Sequence, residues 1–480
     1  MMSKLFSTTR IPAIAGKTST PFLRRFMRKE EGNVTLFSIV VIGTLVMLAG
    51  ISYDLKASEM QRVKIQNVAD RAVLAAADLD QQRLPAEVVR DYFTKAGIPH
   101  LANEITVTEG LNFRTVSVNS SGTYTPFFMQ RFLGINSLPI RSLAEAEERI
   151  NNVEISMVLD ISGSMSWNNK MANLRNAANT FVDTVINDST EDLVSISIVP
   201  YAEHVSSGEA IMDELNVSQR HNFSHCIEFD EADFGVTTLA VNANGMPKRY
   251  EQAQHFFWGN TNSNDRSNPV CRFGNQDDIE AFSQNTVALK NKIGRLQPNG
   301  NTSIFLGMKW AAGLLDPSFQ PVNARLAQRN VTDPVFADRP AAFTDRETLK
   351  TVILMTDGQN TSSKRINPLV YQNASHYAHW NSNSFDWWVN RNVNWNERNL
   401  WSMPKYWPDY GDSLLNTICT AAKEKNIVIW SIGFEVTDYS AGVMRNCASS
   451  PSHFFRVEGV EITEAFSAIA RQINQLRLTQ

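Results

Sequence analysis

The chain has 480 residues, 43% of them hydrophobic, enough to fill the cores of two or three domains. With 20% charged residues and a formal net charge of −4, it excludes the basic overall field of a nucleic-acid-binding protein. Charge is nonetheless uneven at the start, where Lys4, Arg10, Lys17, Arg24, Arg25, Arg28 and Lys29 all precede the first acid, Glu30.

Residues 1–32 read as a tail, and "VTLFSIVVIGTLVMLAGISY", Val34 to Tyr53, carries no charge. At about 1.5 Å of rise per residue such a run crosses a hydrocarbon core of roughly 30 Å. It is longer than a signal-peptide apolar region, and no A-x-A-like cleavage site follows, so residues 33–53 are predicted to be a retained membrane anchor. The basic flank places the tail in the cytoplasm and everything beyond Asp54 on the outer side.

After the anchor, "DLKASEMQRVKIQNVADRAVLAAADLDQ" keeps a helical period, with Leu55, Met60, Val63, Val68, Val73 and Leu74 as its apolar stripe. "EITVTEG" and "FRTVSVNSSGTYTPFF" read as short strands with a Ser-Gly turn. A membrane helix continuing into a small antiparallel sheet resembles type IV pilins and pseudopilins, and residues 54–150 are predicted to be such a pilin-like module. More narrowly, "RKEEGNVTLFSIVVIGTLVMLAGISYDLKASEMQRVKIQNVADRAVLAAA" resembles the N-terminal segment of TadE/TadG-like proteins, which assemble Flp (tight adherence) pili. One departure stands out: a peptidase cutting after Gly32 would leave Phe37 at position five, where polymerising pilins carry glutamate. The resemblance therefore implies an assembly protein rather than a pilus subunit.

From residue 151 onward apolar strands alternate with amphipathic helices. "VEISMVLD", "LVSISIVPYA", "LKTVILMTDG" and "NIVIWSIGF" read as strands, and "KMANLRNAANTFVDTVIN", "SLLNTICTAAKEK" and "ITEAFSAIARQINQLRL" as helices. The pattern predicts an α/β domain around a doubly wound, mostly parallel sheet, with ligands beyond the carboxyl ends of the strands.

"DISGS" lies at such an end and offers Asp160, Ser162 and Ser164. A nucleophilic role for Ser162 or Ser164 lacks the Gly-x-Ser-x-Gly elbow and any evident histidine base, and a phosphate loop lacks the Gly-x-x-x-x-Gly-Lys spacing. A hard cation explains the residues better, because Mg²⁺ takes about six oxygen ligands from carboxylates, hydroxyls and water. Thr302 in "GNTSI" and Asp357 in "LMTDG" supply further oxygens at other element ends. Asp-x-Ser-x-Ser with a distant Thr and a distant Thr-Asp-Gly resembles the metal-ion-dependent adhesion site (MIDAS) of von Willebrand factor A domains. The resemblance implies that Ser162, Ser164 and Thr302 hold Mg²⁺ (or Mn²⁺ or Ca²⁺) through hydroxyls, while Asp160 and Asp357 supply charge. It also implies an open coordination position for a carboxylate from a partner. The plainer alternative is an unmetalled strand-end turn capped by Asp and Ser.

Two insertions interrupt this domain, at about 206–275 and 359–411. Cys226 and Cys271 bracket part of the first, and Cys419 and Cys447 flank a strand. Four cysteines allow three connectivities, of which these two pairs are favoured, in an oxidising compartment. A zinc reading of His221, His225, Cys226 and Cys271 fits no common spacing. Six of the ten tryptophans fall in the second insertion, which follows Asp357 and is expected over the metal face. Trp387, Trp388, Trp395 and Trp401 are either recognition residues for a sugar or a partner protein, or the insertion's own small core.

These readings converge on a non-enzymatic envelope protein, single-pass in a bacterial inner membrane with its bulk in the periplasm. It is expected to use the metal site to capture an acidic residue of pilus or pseudopilin components. The alternative is a surface adhesin that binds host or matrix ligands through the same site and the Trp-rich loop.

Overall fold

The computed structural model describes residues 32–479 apart from 79–80, 82, 110–112, 150–151, 188–189, 243 and 346. The expected tail at 1–32 lies outside the described residues except for Gly32, which opens the first helix. The chain forms two compact units, one ending at Arg149 and one beginning at Ile150.

The first unit is built on one helix, α1 (Gly32–Ala77), whose N-terminal part is long and apolar enough to cross a membrane. Its far end packs with α2 (Pro85–Lys95) against an antiparallel sheet of β1 (Glu104–Glu109), β2 (Phe113–Tyr124) and β3 (Leu138–Arg149). The buried stripe of α1 is Ile65, Ala69, Ala72, Val73 and Ala76. Of the residues expected there, Val73 is buried and Val68 half-buried, whereas Leu55, Met60, Val63 and Leu74 are exposed. Small alanines let the helix approach the sheet closely, so the contact follows them and not the larger side chains.

The expected Ser-Gly turn is absent. β2 runs straight through Ser121 and Gly122, which pair with Arg141 and Ile140 of β3. Glycine serves packing here, because a Cβ on Gly122 would come within 2.7 Å of Leu101. The strand ends before Pro126, and the "FF" expected to extend it opens a short helix, α3 (Phe127–Leu133).

The second unit is the predicted doubly wound α/β domain. Its six-stranded sheet comprises β4 (Asn152–Asp160), β5 (Val194–Tyr201), β6 (Glu280–Ser283), β7 (Thr348–Thr356), β8 (Val428–Phe434) and β9 (Phe454–Val457). The spatial order is β6-β5-β4-β7-β8-β9, parallel throughout except for the edge strand β6. This is the 3-2-1-4-5-6 order of a doubly wound sheet, and its topological switch lies between β4 and β7. Continuous apolar runs form these strands because both faces are covered. On one face Ile155, Met157, Ile353 and Ile432 meet α4 (Lys170–Val185), α5 (Thr286–Arg295) and α9 (Glu461–Thr479). On the other, Val158, Val199, Val352 and Leu354 meet α6 (Ile304–Leu314) and α7 (Pro408–Glu424).

Both expected disulfides are present, Cys226–Cys271 and Cys419–Cys447, the second joining α7 to α8 (Asp438–Cys447). The zinc reading fails for the same reason: two of its four residues are bonded to each other and offer no thiolate.

Helix α6 is buried along its whole length and crosses the sheet at Gly307, where a Cβ would lie 2.7 Å from Val158 and 2.9 Å from Tyr201. Gly307→Val should lower the unfolding free energy by ~1–3 kcal/mol, the usual scale for overpacking a filled core. All ten tryptophans lie between Trp167 and Trp430, so tryptophan fluorescence during urea denaturation of the detergent-solubilised chain reports this unit alone. An unchanged midpoint would contradict the close contact.

Candidate metal centre

β4 ends in Asp160 and β7 in Thr356, side by side across the topological switch, so Asp160 and Asp357 emerge at the same edge. The Asp160 side chain is fully buried. It accepts a hydrogen bond from the Ser162 backbone N–H at 2.8 Å and one from Thr356 Oγ1 at 2.7 Å, and the Tyr201 hydroxyl lies 3.2 Å away. Burial, and then the nearby charge of Asp357, push its pKa up to about 6 against the opposing hydrogen bonds from Ser162 and Thr356.

From there a chain of oxygens crosses the turn. Ser162 Oγ lies 3.1 Å from Ser164 Oγ, which donates to Asp357 Oδ1 at 2.6 Å. The second oxygen of Asp357 accepts from Lys170 Nζ at 3.0 Å, and the same ammonium lies 3.6 Å from Glu435.

The loop that carries Thr302 is clamped to this turn. Gly163 N–H donates to the Gly300 carbonyl and Asn299 N–H to the Ile161 carbonyl, both at 2.9 Å. Gly300 has φ +91°, which glycine tolerates, and a Cβ on Gly163 would come within 3.3 Å of the Gly300 oxygen. Thr302 is buried; its backbone N–H donates to Thr361 Oγ1 at 2.8 Å, while Thr361 N–H returns a bond to the Thr302 carbonyl at 2.9 Å. Next to it Asn360 accepts from Ile304 N–H at 2.7 Å and donates to Asp412 at 2.8 Å, tying the start of α6 to α7.

The five residues singled out from sequence therefore share one edge, although no side-chain hydrogen bond joins Thr302 to the serines. The donor set is all oxygen and carries two carboxylates, which suits a hard divalent cation. Among the described residues no three His, Cys, Asp or Glu side chains gather into a metal-holding group, at this turn or elsewhere. Asp160, Ser162, Ser164, Thr302 and Asp357 are the residues that would hold such an ion, and it would supply positive charge there.

Sequence reading missed Lys170, Tyr201, Thr356 and Glu435. Lys170 carried a readable signal, as a lone cation ten residues after Asp160 at the start of an amphipathic helix. Glu435 carried none, since only the parallel pairing of β8 with β7 brings the end of that strand to this edge.

Both insertions leave the sheet at this edge, after β5 and after β7. They share one aromatic core, in which Phe256 and Val270 of the first pack with Tyr377, Trp380, Phe385 and Val389 of the second. Trp388 and Trp401 are partly buried and pack against that core, their rings 5.1 Å apart. Trp387 is half-buried with Arg391 over its ring, whereas Trp395 is 82% exposed. A buried ionic network lies beneath the core. Glu203 accepts from Trp258 Nε1 at 2.7 Å, Ser363 Oγ at 2.5 Å and Asn301 Nδ2 at 3.0 Å, while Arg365 pairs with Glu228 at 2.5 Å and also reaches His204. Burial raises the Glu203 pKa, with Arg365 and these hydrogen bonds opposing it. Through Asn301 the network also fixes the neighbour of Thr302.

Residues 32–79 match the Tad family model, described as "Putative Flp pilus-assembly TadE/G-like". The match covers the apolar helix and its continuation, and no curated protein matches the chain. Among solved structures, the von Willebrand domain of the type V pilus tip protein Mfa5 from Porphyromonas gingivalis aligns at 15% identity and TM-score 0.36, over 69% of this chain and 97% of that one. The tip pilin GBS104 from Streptococcus agalactiae aligns at 12% and 0.35, over 67% and 100%. The pilus adhesin SpaC from Lactobacillus rhamnosus GG aligns at 11% and 0.34, over 78% of this chain and 34% of that one. These likenesses are too distant to carry residues or roles across.

Among the described residues Lys170 is the one cation placed on Asp357, with 8% of its side chain exposed. Lys170→Met should therefore destabilise the metal-free chain by about 3 kcal/mol, the scale for orphaning half of a buried ion pair. Urea denaturation in the presence of a chelator measures this, and a loss well under 1 kcal/mol would show that Asp357 is satisfied without the lysine.

Proposed function

We propose that this chain is a single-pass, inner-membrane pilus assembly protein that holds a MIDAS-type domain in the periplasm and captures partner proteins there through a bound divalent cation. The oxygen cluster of Asp160, Ser162, Ser164 and Asp357, with Thr302 clamped beside it, carries the reading. The TadE/G-like segment and the apolar helix support a place in pilus assembly at a membrane, and the two disulfides support an oxidising compartment. The two hydroxyls contact each other, and Ser164 donates to the Asp357 carboxylate, an oxygen-to-oxygen arrangement that supports cation binding.

In this reading the chain's own groups do three things. Ser162, Ser164 and Thr302 offer neutral oxygens, so the site keeps net attraction for a further anionic ligand. Asp160 is held off the surface by Tyr201, Thr356 and the Ser162 N–H, so its charge acts through the turn. Lys170 answers part of the Asp357 charge from the α4 side. The partner's contribution is then a carboxylate from Asp or Glu. A second reading, a surface adhesin engaging host or matrix ligands, rests on Trp395, Leu369 and Leu400, which stand 82%, 72% and 67% exposed on the second insertion.

The test is thermal unfolding of the solubilised chain with and without Mg²⁺ or Mn²⁺. A native-state ligand at 100 times its Kd adds about 2.7 kcal/mol. Wild type should shift upward, and Ser164→Ala, which leaves the buried Asp160 network intact, should lose most of the shift without unfolding. No shift at millimolar metal in wild type would overturn the proposal.

A further inference from the structure

We propose that α3 docks on the bilayer surface, as an apolar wedge that fixes the first unit against the lipid headgroups. The inference rests on the reading of Val34–Tyr53 as a membrane span and adds a second lipid contact that the span does not itself require.

Asp54 is the first charged residue after the span, yet its side chain is fully buried. Its two oxygens accept hydrogen bonds from the Phe127 and Met129 backbone N–H groups at 3.1 and 2.7 Å, satisfying free donors at the start of α3. A carboxylate at the membrane exit would ordinarily face water; here it ties α3 to the exit point.

The neighbouring ring sets the depth. Phe128 packs against Gly50, where a Cβ would lie 2.5 Å from the ring, and edge-on to Tyr53 at 6.3 Å. Gly50 lies three residues inside the uncharged run, roughly 4.5 Å of helix rise before its end. The Phe128 ring thus reaches alongside the last turn of the span.

What remains exposed on α3 is mostly apolar. Phe127, Phe132 and Leu133 are 71%, 48% and 46% exposed, and Tyr53 beside them is 63% exposed. Single exposed apolar residues are ordinary, but these three are spread around a seven-residue helix at the level of a membrane exit, so most of its exposed side chains are apolar. Aromatic rings at the headgroup level, with Arg131 among them to meet phosphate, match the chemistry of a bilayer interface. Gly134, at φ 69°, ends the helix immediately after these residues. Continuity with the span argues for lipid as the occupant over a protein surface.

Three full-length variants, Val46→Cys, Phe132→Cys and Leu143→Cys, test this after nitroxide labelling under non-reducing conditions, which leaves both disulfides closed. Each is reconstituted into phosphatidylcholine–phosphatidylglycerol vesicles, and collision with oxygen and with a water-soluble nickel chelate is read by electron paramagnetic resonance. Residue 46 reports the span. Residue 143 reports water, because its carbonyl accepts from Gln66, thirteen residues or ~20 Å of helix beyond Tyr53. The expected result is that label 132 has nickel accessibility several-fold below label 143 and an oxygen-to-nickel ratio between those of labels 143 and 46. If label 46 sits in lipid while label 132 meets nickel as freely as label 143, the wedge is overturned and the span stands. Low accessibility of label 132 to both oxygen and nickel would assign α3 to a protein partner and also overturn it. If label 46 itself meets nickel freely, the span is wrong and the wedge falls with it.

Discussion

Two carboxylates held together at one edge of a sheet are the constraint around which the second unit is arranged. Asp160 and Asp357 arrive from neighbouring parallel strands, and the pairing of β4 with β7 leaves them no freedom to move apart. Burial costs each ion its hydration, and mutual repulsion adds to that cost, which is why Asp160 binds its proton more tightly than an ordinary aspartate. The protein answers with directed dipoles around Asp160 and with the Lys170 ammonium on Asp357. The hydroxyls of Ser162 and Ser164 complete the answer, linking the turn to Asp357 by hydrogen bonds.

The surrounding architecture serves to hold these oxygens in place. Gly163 and Gly300 permit two loops to touch backbone to backbone, and Thr361 then fixes Thr302 through paired bonds. The insertions are joined to this scaffold, since Glu203 links Trp258 of the first, Ser363 of the second and Asn301 of the loop that carries Thr302. A buried charge with three hydrogen-bond donors is costly to disrupt, so the aromatic lobe and the oxygen cluster are expected to move as one body. The first unit uses the same device at Asp54, whose buried carboxylate joins two elements distant in sequence.

Much of this was readable from the chain. Parallel strands buried on both faces leave continuous apolar runs, and "VEISMVLD" and "LKTVILMTDG" announce both themselves and the acids that follow them. The oxygen set was legible because each of its members sits in a short motif at an element end. Packing by small residues was not legible: the alanine face of α1 and the glycine of β2 look weak by hydrophobicity, yet they carry close contacts. Partners supplied by non-local pairing were also hidden, as Glu435 and Tyr201 show. The tryptophans exposed the limit of composition as a guide, since Trp380 lies in a core while Trp395, in the same segment, faces water.

The central claim is that these oxygens form a cation site, and location tests it more directly than any change in stability. Crystals of the protein grown with Mn²⁺ and measured near the manganese absorption edge would show where the ion sits. The account predicts one strong anomalous peak bounded by Ser162, Ser164 and Thr302, with Asp160 and Asp357 in contact directly or through water. Ordered density for these residues with no anomalous peak among them, and Lys170 still on Asp357, would contradict it.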